Sequence, residues 1–123
     1  MEKVVVEKTN DLSERTFKFA IRILKLLKNI KYSRGHDVVK NQLAKSATSV
    51  GANYEEAQGA YSREDFRYKT SICFREIKES NYWLRIIKEA EIADCKDLDN
   101  LIKESQELKN IFATIVKKTK VTK

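Results

Sequence analysis

The sequence predicts an all-α fold, an up-down-up-down antiparallel four-helix bundle, and three observations carry that expectation. The 123 residues include no proline and three glycines, so helix breakers are scarce and helix formers dominate. Apolar residues recur at steps of three and four in four separate runs, the spacing that lines one face of a helix. The joints between the runs are short, which favours antiparallel neighbours. With 41% hydrophobic and 35% charged residues, the chain suits amphipathic helices rather than disorder. One domain spanning residues 1–123 is large enough for a single core.

The first helix is expected over about 11–31. Asn10 or Asp11 can cap it, with Glu14 placed to complete a box from Asp11. Phe17, Phe19, Ala20, Ile23, Leu24, Leu26, Leu27 and Ile30 cover about half its circumference, more than one bundle seam requires. Tyr32-Ser33-Arg34-Gly35-His36 reads as a joint, with Gly35 the break and Asp37 the next cap. The second helix should span about 37–60, with Leu43, Ala47, Val50, Tyr54 and Ala57 on one side. Ser62 followed by Glu64 and Asp65 is a capping-box variant, and acids there suit the positive end of the helix dipole. The third helix, about 63–92, would be roughly 45 Å long. Its core stripe is Phe66, Thr70, Cys73, Ile77, Ser80, Leu84 and Ile87. Asp94-Cys95-Lys96-Asp97 is the last joint. The fourth helix, about 97–118, carries a near-heptad seam of Leu98, Leu101, Ser105, Leu108, Phe112 and Ile115.

Composition also narrows the setting. No apolar run approaches the roughly 18 residues of a membrane span, and the opening Val4-Val5-Val6 is too short for a signal-peptide core. A cytoplasmic protein with no membrane partner is expected. Cys73 and Cys95 form no CxxC pattern and read as reduced fillers. The net charge of +7 raises the prospect of an acidic partner such as nucleic acid. Four of the last seven residues, Lys117, Lys118, Lys120 and Lys123, are lysines.

From Asn41 to Ala57 most residues are small or hydroxylated, which lets neighbouring helix backbones approach closely. Within this stretch, Gln42-Leu43, Lys45 to Asn53 and Glu55-Glu56-Ala57 resemble the hallmark of a bacterial four-helix-bundle family. Ser62, Asp65-Phe66, Arg75-Glu76, Glu79 and Tyr82-Trp83-Leu84 continue the match. That family includes proteins encoded by intervening sequences within 23S ribosomal RNA genes. It also includes the accessory variability protein of diversity-generating retroelements. The resemblance implies a non-enzymatic basic bundle assembled as a ring, a homopentamer. In the retroelement branch it also implies binding to nucleic acid and to a reverse transcriptase. Lys45 departs from the family's more usual arginine, which would lose bidentate geometry if that position grips a carboxylate or phosphate. The first joint lacks the proline of many relatives.

Catalysis finds little support in the residues. His36 is the only histidine, whereas helical di-iron sites need two Glu-x-x-His pairs. Arg34 and His36 are too close for a spaced Arg/His ribonuclease pair. No glycine-rich phosphate loop exists, and Cys73, Cys95 and His36 make no recognised zinc set. Ser46 and Ser49 have no base beside them, and helical hydroxyls commonly bond back to the preceding turn. No catalytic residue, metal site or cofactor is expected. Glu55 and Glu56 read as surface partners for nearby cations, worth well under about 1 kcal/mol each.

Two surfaces remain. Arg15, Lys18, Arg22 and Lys25 occupy a wedge of about 80° on the first helix. Such a strip could track phosphates, with Lys117, Lys118 and Lys120 extending it as a basic tail. No aromatic interleaves this strip, so base stacking has no carrier there. Ile72, Glu76, Glu79, Trp83, Ile86 and Ala90 form a second stripe on the third helix, turned about 100° from its core stripe. With the wide apolar face of the first helix, it suggests subunit contact. The alternative is that Trp83 covers a bundle edge. The leading expectation is a basic oligomeric scaffold for RNA or DNA backbone, with a possible protein partner. Its rival is a purely structural or protein-interaction module whose charge serves solubility.

Overall fold

The computed structural model describes the backbone of residues 2–120 and the side chains of residues 11–120. Four helices follow one another: α1 Glu2–Lys28, α2 Arg34–Gln58, α3 Arg63–Glu89 and α4 Lys96–Lys118. Each packs on its chain neighbour, and α1 also meets α4, which closes a four-helix bundle. The contact between α1 and α4 is the least extensive of the four, and the one between α2 and α3 the most.

The chain's own chemistry explains the helix ends, several of which depart from expectation; α1, for one, stops at Lys28 rather than near Lys31. α1 runs through Asp11 rather than starting there, since nothing between Glu2 and Asn10 breaks a helix. α2 is capped by Ser33, whose Oγ accepts from the His36 amide at 3.1 Å. Asp37 therefore lies in the first turn, and both Gly35 and His36 are helical rather than joint residues. A glycine this near a helix start forfeits little, because the first turn has few intrahelical bonds to lose. α3 starts as expected, with Ser62 Oγ accepting from the Asp65 amide at 3.0 Å. It ends three residues early in a Schellman turn: the Ile92 amide donates to Ile87 O and the Glu91 amide to Lys88 O. Glu91 takes the left-handed position with φ 56°, a place that usually falls to glycine.

The core unites all four helices. Phe19 and Ile23 of α1, Leu43, Ala47 and Val50 of α2, Ile77 and Leu84 of α3, and Leu101, Leu108 and Phe112 of α4 are shut off from solvent. Tyr54 meets Phe112 edge to face at 5.7 Å. The small-residue run of α2 supplies close approach and polar links. Ser46 Oγ lies 2.8 Å from Ser80 Oγ on α3, and Ser80 Oγ donates to the Glu76 carbonyl. On the other side of α3, Asn81 donates to Ser105 Oγ of α4 at 2.9 Å. All four of these side chains are buried and satisfied, so they fix register between helices at no net polar cost. Among the described residues, no helix is long and apolar enough to cross a membrane.

Candidate nucleic-acid interface

The wedge on α1 divides into two kinds of residue. Arg15 donates from Nε and Nη2 to the two carboxylate oxygens of Glu104, at 3.0 and 2.7 Å, and reaches Glu107 at 3.2 Å. Arg22 makes the same two-pronged contact with Asp97, at 3.2 and 2.7 Å. These bonds raise both guanidinium pKa values and hold the Asp97 carboxyl below its ordinary range. The two arginines thus clamp α1 onto α4, the helix pair whose mutual contact is least extensive. Lys18 stays exposed, 3.8 Å from Glu14, and Lys25 stands exposed at the edge of an end cavity. The strip is therefore not a continuous row of available cations.

In the second stripe Ile72, Glu76, Glu79, Trp83 and Ile86 are half-buried, and Ala90 at the helix end is exposed. Trp83 and Ile86 pack against the core cluster. The Trp83 indole donates to Glu79 at 3.1 Å and meets Tyr82 edge to face. Large apolar side chains stand exposed instead on the outer face of α1. Phe17 is 60% exposed and Leu24 47%, with Ile21 between them at 37%. Phe17 also overhangs a shallow recess shared with Gly51 and Ala52 of α2.

The outer face of α3 carries a pattern the sequence reading did not single out. At about 100° per residue, Arg67, Tyr68, Ser71, Phe74, Arg75, Lys78, Tyr82 and Arg85 fall in one sector of about 120°. From Arg67 to Arg85 the row is about 27 Å long. Arg75, Lys78 and Arg85 are exposed, as are Tyr68 and Tyr82 at 62% and 50%. Lys78 Nζ sits over the Phe74 ring at 5.3 Å, a cation–π contact. Between Asp65 and Glu89 the only carboxylates on α3 are Glu76 and Glu79. Both lie outside this sector, and Glu79 is engaged by Trp83. No salt bridge to Arg67, Arg75, Lys78 or Arg85 forms among the described residues.

The basic end of α4 joins this surface. Lys120 lines a recess with Glu64, Arg67, Tyr68 and Ser71. Arg63 donates to the Lys118 carbonyl at 2.9 Å and ties the end of α4 to the start of α3. Lys117 and Lys118 are exposed. Lys123 lies outside the described residues.

Known proteins match this architecture as well as its sequence. The family described as 23S rRNA-intervening sequence protein matches over residues 8–114. The chain belongs to that family. A solved structure from the S23 ribosomal protein family of Bacteroides thetaiotaomicron VPI-5482, a protein of unknown function, is 32% identical. The likeness covers 89% of this chain and 98% of that one, with a TM-score of 0.80. Among curated proteins none matches.

Within the family frame, a signal for the α1–α4 clamps was present in the sequence. Arg15 and Arg22 are seven residues apart, and so are Asp97 and Glu104. An antiparallel pairing of α1 with α4 puts the members of each pair opposite one another. The α3 row could have been found by asking which helix face lacks carboxylates, rather than which carries the most cations.

Proposed function

We propose that this chain is a non-enzymatic scaffold that binds single-stranded nucleic acid along the outer face of α3. The observation that carries this reading is the carboxylate-free row from Arg67 to Arg85, in which cations stand beside the exposed Tyr68 and Tyr82 and the half-buried Phe74. Cations neutralise phosphates and release counterions. Exposed aromatic faces accept stacked bases with little sequence preference. The exposed Tyr68 and Tyr82 favour unpaired bases that can stack over a duplex, in which the bases are already stacked, so binding is directed to backbone and stacking. Lys120 extends the row past its Arg67 end.

Self-assembly is part of the proposal. The exposed Phe17, Ile21 and Leu24 stripe supports a contact between copies. A ring of five, which the family resemblance implies, would present the α3 row repeatedly and multiply its charge. Fluorescence anisotropy with a labelled single-stranded RNA, titrated at rising salt, tests the reading. Binding that weakens steeply with salt supports it. Absence of binding even at low ionic strength refutes it.

A further inference from the structure

At the end of the bundle where α1 and α3 finish, a cavity of about 590 Å³ opens between α1, the first joint and the α3–α4 joint. Leu26 and Ile30 from the α1 side and Ile92 and Ala93 from the opposite joint give it an apolar floor. The Schellman turn at Glu91 brings Ile92 and Ala93 into that wall. Lys25, Lys31 and His36 stand around it, together with Asp94, Cys95 and the Arg22–Asp97 pair. Asp97 is already matched by Arg22 at 2.7 Å. Lys25 and Lys31 are exposed and form no ion pair among the described residues, leaving Asp94 as the one wall carboxylate not already matched.

From this juxtaposition we infer that the end cavity is a binding site for a small carboxylic acid with an apolar body. Volume and lining agree with that class: small-molecule sites run from about 300 to 1,000 Å³ and combine mostly apolar walls with a few polar groups. The apolar body lies on Leu26, Ile30 and Ile92, and the carboxylate meets Lys25 and Lys31. A cation of the same shape gains the apolar contact but faces the two lysines. The site is separate from the α3 row, so its failure would leave the nucleic-acid reading untouched.

Octanoate, hexanoate, 4-phenylbutyrate and octylammonium titrated into the full chain test this, with backbone amide NMR as the readout. Octanoate or phenylbutyrate should shift the amides of Leu26–Lys31 and Ile92–Asp97 saturably, and the stronger of the two identifies an alkyl or aryl body. Octanoate should bind about fifteenfold tighter than hexanoate, at roughly fourfold per seated methylene. Lys25→Glu with Lys31→Glu should weaken octanoate about tenfold or more while octylammonium improves. Ala93→Phe, which sets a ring on the apolar floor, should weaken octanoate at least tenfold, and far-UV circular dichroism checks that the variant is folded. Shifts that map to Phe17, Ile21 and Leu24 instead, equal affinity for octylammonium, or no saturable shift with either acid would overturn the assignment.

Discussion

The Arg15–Glu104 clamp makes a demanding quantitative case. Its side chains are 27% and 19% exposed and share two hydrogen bonds of 3.0 and 2.7 Å. Fully exposed pairs contribute about 0–1 kcal/mol, whereas hydrogen bonds to charged groups contribute about 1.5–3 kcal/mol. Losing one partner of a buried pair costs about 3–5 kcal/mol. This pair lies between those limits, so a coupling energy of about 1–2 kcal/mol is expected. Arg15→Met alone should destabilise by about 2 kcal/mol, because Glu104 stays partly desolvated opposite a thioether. Adding Glu104→Met should recover much of that, since two methionines can pack in the α1–α4 seam. Glu107 is exposed and should contribute little to the cycle. The assay is urea unfolding of the four proteins by circular dichroism, at one fixed protein concentration. A coupling below about 0.3 kcal/mol would show that the contact is ornamental, and that Arg15 is available for another role.

Three further expectations follow from the same geometry. Burial pushes the Cys73 thiol up to about 12, and its Sγ donates to Val50 O, while Cys95 is exposed; a thiol reagent at neutral pH should therefore titrate one cysteine in the native protein and the second only on unfolding. Glu91→Gly should raise stability by about 0.5–1 kcal/mol in urea unfolding, because glycine removes the left-handed penalty at φ 56°; a lowered midpoint would contradict the Schellman assignment. Arg22 depresses the Asp97 pKa below its ordinary 3.8, so the pair stabilises the fold above that value and loses its contribution as pH falls through the folded pKa. With both side chains more than a third exposed, the difference between wild type and Asp97→Asn should be about 0.5 kcal/mol near pH 6 and fade as the pH falls through the folded pKa.

The bundle was legible because its evidence is local and repeated. Ser62 with Asp65, and the stripe from Cys73 to Ile87, needed only neighbours in sequence to be read. At the α2 start Ser33 and Asp37 are both competent caps, and the choice turns on how little Gly35 costs in a first turn. The arginine wedge on α1 follows from helical spacing, but a wheel does not say which neighbour a wedge meets. Asp97 and Glu104 consumed Arg15 and Arg22 through a contact across most of the chain. The α3 stripe through Trp83 posed the same difficulty: it lies beside the core stripe, and only packing showed that it is half-buried. The outer face of α3 is hard to read from sequence because its cations are sparse, and its distinction is what it lacks.

The salt dependence of single-stranded RNA binding, compared between two double variants, tests the central claim most directly. Arg75→Gln with Lys78→Gln removes two α3 cations that form no salt bridge among the described residues. Arg15→Met with Arg22→Met removes two that are already paired. With a slope of about −0.7 per phosphate contact on single strands, the α3 variant should flatten the plot of log affinity against log salt by about 1.4. The α1 variant, kept folded at low temperature, should leave the slope unchanged. A flattened slope for the α1 variant with an unaltered one for the α3 variant would contradict the account and return the interface to the first helix.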